Sequence, residues 1–282
     1  TYAVVSPCQN GIGGDMFALV WDGNQLHGLN GSGRAPAALT LDKLANHDKM
    51  PKKEWPAVTV PGAPAGWRDL HAKFGRLPFA DLFTAAIHYA RDGFAVTNLI
   101  KSQWHGAVHQ IHAKLNGPEF VGFLPEFAPG GSPPEVGDIW RSEALANTLQ
   151  QVADSHADAF YTGDLAQKIA GFAAQTGGFI SAEDLANHTS NWVEPISTSY
   201  RGYDVWEIPP PGQGLTALMA LNILEGFDIG ALAYGSAERL HLQIESVKLA
   251  YLDAQTYIAD MDHAHVPLAD LLGTVPSLLR PN

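Results

Sequence analysis

Apolar and polar positions alternate along this chain in two rhythms. Short apolar runs at residues 17–21 and 25–29 flank Asp22-Gly23-Asn24, and Asp-Gly between such runs predicts a β-hairpin. A second hairpin is expected at residues 196–200 and 203–208, over Arg201-Gly202. Residues 57–64 read as a short strand leading into a turn. A helical rhythm fits residues 82–91, which Asp92-Gly93 closes, and residues 97–115. Leu145, Leu149 and Val152 mark one face of a helix at 142–153, and a further helix is expected at 164–174. Ser181-Ala-Glu-Asp184 has the spacing of a capping box. The longest helix is predicted at 235–258, with Leu240, Ile244, Val247 and Tyr251 on one face and Leu242 and Leu249 on another, so cover on more than one side is expected. Between these elements lie a Gly/Ser-rich loop at 30–36 and a long Pro/Gly-rich loop at 117–137. Helices mixed with hairpins predict an α/β layered fold.

The stiffest punctuation is Pro209-Pro-Pro-Gly-Gln-Gly214, directly before an apolar helical run at 215–227. Three prolines impose an extended entry and two glycines then free the backbone, which is the composition of an accurately placed corner.

Composition narrows the function classes. With 46% hydrophobic and 16% charged residues, the 282-residue chain has material for a large core, and a single domain over residues 1–282 is expected. The formal net charge of −12 argues against a nucleic-acid partner. No apolar run reaches the roughly 18 residues that cross a bilayer, so no membrane partner is expected and the chain is read as soluble, cytoplasmic or periplasmic. Cys8 is the single cysteine, which excludes an internal disulfide; it reads as a small buried or loop residue rather than a catalytic thiol. The chain opens on Thr1 and closes on Asn282 without a signal peptide or a closing element, and is expected to be part of a longer product.

Candidate chemistry is sparse. Gly11-Ile-Gly-Gly14 is not a dinucleotide loop, because the sixth position is Met16 and a strand follows. His105, His109 and His112 share one face of a predicted helix, the spacing of a metal site, but a solvated face is the simpler account. Asp260, Asp262, His263 and His265 pose the same choice between a divalent ion and a helix-terminal loop. No Gly-x-Ser-x-Gly elbow occurs. The residues alone define no self-contained catalytic set.

Ordered segments add what single motifs do not. They are Gly11-Ile-Gly-Gly-Asp15-Met-Phe17; Arg34-Ala-Pro36; Val60-Pro-Gly62 through Gly66; Phe74-Gly-Arg-Leu-Pro78 and Ala90-Arg-Asp-Gly-Phe94; Phe160-Tyr-Thr-Gly163, Gly177-Gly178 and Glu183-Asp-Leu185; and Tyr200-Arg-Gly-Tyr203, Pro209-Pro-Pro211 and Leu221-Asn-Ile-Leu224. In this order, and over nearly the whole chain, they resemble the gamma-glutamyltransferase (gamma-glutamyltranspeptidase) family. The resemblance implies an N-terminal-nucleophile hydrolase, a four-layer αββα sandwich whose large-subunit half this chain would form, without the family's N-terminal helical segment or the tail up to the cleavage point. It implies a self-cleaving precursor and a small subunit headed by a Thr that serves as nucleophile and, through its α-amine, as base. Thr1 is not that residue, since it precedes the large-subunit segment 11–14. No catalytic residue is therefore expected here, and no cofactor or metal. The implied partners are the small subunit, with a dimer of heterodimers as one arrangement, and a small-molecule amide of the glutathione type.

One departure bears on substrate. Family members carry an Arg three residues before the Ala-Pro of the second segment, where it pairs with the α-carboxylate of the γ-glutamyl group. Ser32 stands there, and Arg34 lies just before Ala35-Pro36. Ser32, Gly33 and Arg34 are thus the expected substrate-binding residues. Either Arg34 reaches the same carboxylate from a shifted loop, or the pocket has lost its anchor and takes another acyl group. Loss of a buried charge-assisted pair costs on the order of 2 to 5 kcal/mol. A second departure is Pro211-Gly-Gln-Gly214, where many members have Ser-Ser-Gly-Gly after the prolines. The expected activity is amide hydrolysis favoured over transfer, with a cephalosporin or glutaryl acylase as the alternative. A non-catalytic metal-binding protein is the rival from another class.

Overall fold

A computed structural model of the chain describes residues 1–111, 115 and 117–273. The strands are β1 (Met16–Trp21), β2 (Leu26–Gly31), β3 (Phe94–Ala95), β4 (Ile139–Trp140), β5 (Asn191–Val193), β6 (Ile196–Tyr200) and β7 (Tyr203–Glu207). The helices are α1 (Tyr2–Val5), α2 (Leu41–Leu44), α3 (Ala63–Phe74), α4 (Thr84–Asp92), α5 (Asn98–Gly106), α6 (Phe123–Phe127), α7 (Glu143–Asp154), α8 (Asp158–Tyr161), α9 (Asp164–Thr176), α10 (Ala182–Ala186), α11 (Gly214–Glu225), α12 (Ala237–Tyr257) and α13 (Leu268–Leu271). Contacts gather into two compact units: residues 1–16 with 31–190, and residues 17–30 with 191–282.

The first unit is mainly helical. Its core joins Ala65 of α3, Ile87 of α4, Trp104 of α5, Trp140 of β4, Leu149 and Val152 of α7, and Phe160 and Tyr161 of α8. Trp104 and Trp140 meet edge-to-face at 5.2 Å, and the Trp104 indole donates to the Phe127 carbonyl at 2.7 Å, so its one polar atom is satisfied on burial. A smaller cluster packs Val60 against Ala166, Ala173, Ile180 and Leu185. Local signals set the helix starts: the hydroxyls of Thr97 and Ser142 accept from the Ile100 and Leu145 amides. Gly93, with φ of 99°, ends α4 where a side chain is disfavoured. The expected helix at 97–115 runs as α5 and then a π turn, Ala107–Ile111. The loop at 117–137 holds a 3₁₀ turn, Pro118–Phe120, and α6.

The strand expected at residues 57–64 does not form. A 3₁₀ turn, Trp55–Ala57, precedes an extended stretch, and α3 starts at Ala63. Val60 donates once, to the Arg34 carbonyl at 3.0 Å, and no ladder follows because Gly62 and Ala63 turn their amides to the Gly14 carbonyl.

The second unit holds a three-stranded sheet in the order β1-β2-β5 and the β6-β7 hairpin. β2 and β5 are antiparallel, with Leu29 opposite Trp192. Gly28 lets them close: a Cβ there would lie 2.8 Å from the Val193 carbonyl oxygen. Asp22 shapes the first hairpin by accepting from the amides of Asn24 at 2.8 Å and Gln25 at 2.9 Å. The His27 hydrogen bond, with those from the two amides, holds its carboxyl well below the usual range. The core joins Leu215, Met219 and Ala220 of α11 to Ala250 of α12, Val266 and Leu271.

The long helix is not covered as its apolar pattern predicts. Among the described residues, the buried side chains of α12 are Ser246 and Ala250, small enough for α11 to pack closely. Leu240, Ile244, Val247 and Tyr251 are 48, 56, 42 and 40% exposed. On the sheet, Phe17, Leu19 and Trp21 are likewise exposed.

Candidate functional site

The expected substrate-binding residues sit where three backbone segments of the first unit cross. Residues 14–15, 31–34 and 60–63 approach so closely that glycine is required at the contacts. A Cβ on Gly33 would fall on the Val60 carbonyl, and one on Gly62 would fall on the Gly31 carbonyl. One on Gly31 would lie 2.8 Å from the Met16 carbonyl oxygen.

Hydrogen bonds then fix the register. The Asp15 carboxylate accepts from the Gly33 amide at 2.9 Å. The Gly14 carbonyl accepts from Gly62 at 3.1 Å and Ala63 at 2.9 Å. Ser32 and Gly33 are half-buried and Arg34 is exposed. Ser32, Gly33 and Arg34 are consecutive on this loop, and the neighbouring amides are taken: Gly33 by Asp15, Val60 by the Arg34 carbonyl, Gly62 and Ala63 by the Gly14 carbonyl.

Two elements support this crossing from beneath. The Tyr161 hydroxyl donates to the Pro61 carbonyl at 2.8 Å and accepts from the Ala65 amide at 2.9 Å, bridging the turn into α3. Burial pushes its proton affinity well above that of a free phenol, so it stays neutral. His188 stacks on Tyr161, with ring centroids 5.4 Å apart and planes 16° from parallel.

The Asp184 carboxylate serves two masters. Its Oδ2 closes the α10 capping box by accepting from Ser181 N at 2.8 Å and Ser181 Oγ at 2.6 Å. Its Oδ1 accepts from the Ala37 amide at 2.9 Å, just beyond the loop. Burial opposes the ionised form, but the bonds from Ala37 and Ser181 prevail and the carboxyl lies below its ordinary value.

Sequence reasoning singled out 32–34 but gave no role to Asp15, Tyr161 or His188. Asp15 and Tyr161 lie within the quoted segments, so position was the available signal; His188 carried none. Asp184 was read as a cap, and its hold on Ala37, 147 residues away, is tertiary.

The Pro209–Gly214 corner belongs to the second unit. Pro209 and Pro210 are buried, and the Pro210–Pro211 peptide is cis. Gly214 opens α11 beneath Glu207, and Tyr251 Oη donates to Gln213 Oε1 at 3.1 Å. Glu207, Gln213, Thr216, Val247 and Tyr251 line a groove of about 400 Å³ there. A separate apolar cavity of about 570 Å³ in the first unit, lined by Trp67, Phe74, Phe79 and Phe83, includes none of Ser32, Gly33 and Arg34.

The metal readings find no support. Among the described residues no group of three His, Cys, Asp or Glu side chains could hold an ion. His105 and His109 meet edge-to-face at 5.6 Å, while His112 lies outside the described residues. Asp260 accepts from the Asp262 amide at 3.0 Å and contacts His263 at 3.1 Å, the pattern of a turn after α12. Cys8 lies in an exposed turn, where partial burial of its sulfur raises the thiol pKa, opposite to an activated nucleophile. Among the described residues no helix is long and apolar enough to cross a membrane.

The sequence profile of the gamma-glutamyltranspeptidase family matches residues 1–275. The chain is similar to the cephalosporin acylase of Bacillus halodurans, a solved structure, at 41% identity and a TM-score of 0.92, covering 98% of this chain and 52% of that one. It is 34% identical over 273 residues to the glutathione hydrolase-like YwrD proenzyme of Bacillus subtilis, 96% of this chain and 51% of that protein. It is 37% identical over 217 residues to the acylase ACY 1 proenzyme of Pseudomonas sp. (strain SE83), 77% of this chain and 38% of that protein. The chain thus spans about half, or less, of the length of these relatives. The α/β fold of the N-terminal-nucleophile hydrolase type rests on this likeness.

Proposed function

Because this chain belongs to the gamma-glutamyltranspeptidase family, we propose that it is the large-subunit part of a self-processing amide hydrolase whose nucleophilic Thr heads a companion segment of the same precursor. The carrying observation is the family match over residues 1–275 in a chain half as long as relatives named as proenzymes. The exposed apolar faces of α12 and of β1 support it, since a companion segment would bury them. In the reaction the Thr hydroxyl attacks the amide carbonyl, its α-amine takes the proton, and backbone N–H groups stabilise the oxyanion; collapse expels the amine, which receives that proton, and water then hydrolyses the acyl-enzyme to the acid and free Thr. This chain's share is one wall of the acyl pocket, built from Ser32, Gly33 and Arg34 on the glycine crossing.

Ser32 in place of an Arg, together with the likeness to a cephalosporin acylase, favours an acyl group other than γ-glutamyl. The test uses the full-length protein. Mass spectrometry is expected to find a cut before a Thr, and an acyl amide without a terminal carboxylate, such as a butyryl anilide, is expected to turn over faster than a γ-glutamyl anilide. An uncut precursor would remove the self-processing reading. Equal or better turnover of the γ-glutamyl compound would remove the lost-anchor reading.

A further inference from the structure

We propose that His188 is a positioning residue for the loop carrying Ser32, Gly33 and Arg34, and that with Asp184 it clamps both ends of that loop from one short segment. The proposal rests on the reading of this loop as a wall of the acyl pocket. At the far end, Asp184 Oδ1 holds the Ala37 amide. At the near end, the Cε1 edge of His188 faces Gly62: a Cβ on Gly62 would lie 3.3 Å from it. The same Cβ would fall on the Gly31 carbonyl, so Gly62 is the spacer between the imidazole and the first residue of the loop.

The imidazole is fixed in turn. Its stack on Tyr161 aligns it, and the Tyr161 hydroxyl is tethered to Pro61 and Ala65. Its amide donates to the Leu185 carbonyl at 3.1 Å, which joins it to α10 and hence to Asp184.

An apolar ring would fill this space at lower cost. His188 is 8% exposed, and its Nε2 has no hydrogen-bond partner among the described residues. The groups in electrostatic reach are Arg68 and Asp69 of α3, Asp15, and Arg34 itself, beside the neutral Tyr161. Burial is the strongest influence, the two guanidiniums add to it, and the two carboxylates oppose; the net effect lowers the pKa and keeps the ring neutral. A proton would place a buried cation against Gly62, within reach of Arg34 and Arg68. The neutral ring therefore holds the loop, and protonation displaces it.

The experiment uses the full-length protein labelled with ¹⁵N-glycine and ¹⁵N-alanine. The Gly33 and Ala37 amides and the His188 Cε1–H are followed by NMR through an acid titration. Both amides are expected to shift at the His188 midpoint, and His188→Phe, which preserves the stack, is expected to abolish that step. KM for the acyl amide that is turned over should rise about threefold or more across the same midpoint with kcat within about twofold, and should stay flat in the variant. If His188→Phe fails to fold, His188→Gln replaces it. Amides indifferent to the His188 midpoint, or an unchanged step in the variant, would overturn the clamp. Coupled amides without turnover of any acyl amide would remove the functional reading and leave the clamp standing.

Discussion

The two Gly-shaped regions of this chain differ in how their groups are satisfied. At the crossing of 14–15, 31–34 and 60–63, amides meet carbonyls or carboxylates within the first unit, and glycines fit where no side chain can. Around the Pro209–Gly214 corner, the buried Thr216 hydroxyl has no partner among the described residues, and the neighbouring face of α12 exposes Val247 and Tyr251. The difference teaches which region fixes a backbone and which presents a surface. The first holds its loop by backbone bonds, with the His188 Nε2 unpartnered among the described residues. The second exposes an apolar face that the proposed companion segment would bury.

That contrast breaks most directly at Gly33. Gly33→Ala forces a methyl onto the Val60 carbonyl, and a destabilisation of about 3 kcal/mol is expected, read as a shift in denaturant midpoint of the first unit. An unshifted midpoint would mean that the crossing is loose. Tyr161→Phe removes the bridge between Pro61 and Ala65 and should cost about 1 to 2 kcal/mol by the same measurement. Asp184→Ala removes the carboxylate half of the α10 capping box and the Ala37 bond; about 1 kcal/mol is expected, with faster proteolysis near residue 37.

Acid adds a gentler probe. The folded pKa of His188 lies below its unfolded value, so the unfolded chain binds the extra proton as pH falls below the ordinary His range of about 6.5. Its contribution to stability is present above that range and lost below it. His188→Phe should remove this part of the acid slope of the denaturant midpoint. The smallest expected effect is Ile244→Glu on exposed α12, within about 0.5 kcal/mol for this chain's own stability. A clear loss of association with the companion segment in the same variant would confirm that this face is a surface awaiting cover.

Much of the architecture was legible because its signals are local. Asp22-Gly23, Arg201-Gly202, Asp92-Gly93 and the Ser181 cap each act within a few residues, and each shaped the expected turn or helix end. The strand expected at 57–64 failed for a non-local reason: Gly14 captures the amides of Gly62 and Ala63. The face of α12 was misread because an apolar period reports what seeks burial, without saying which polypeptide provides it. At the candidate site, Ser32, Gly33 and Arg34 were marked by the ordered segments. His188 was invisible because its neighbours, Gly62 and Tyr161, lie far away in sequence.

The steric deadlock at Gly31, Gly33 and Gly62 also constrains how the proposed acyl pocket could acquire new preferences. Three of the surrounding positions tolerate no enlargement, so variation is funnelled into Ser32 and the exposed Arg34. Diversifying those two codons alone is the economical route to a retuned enzyme.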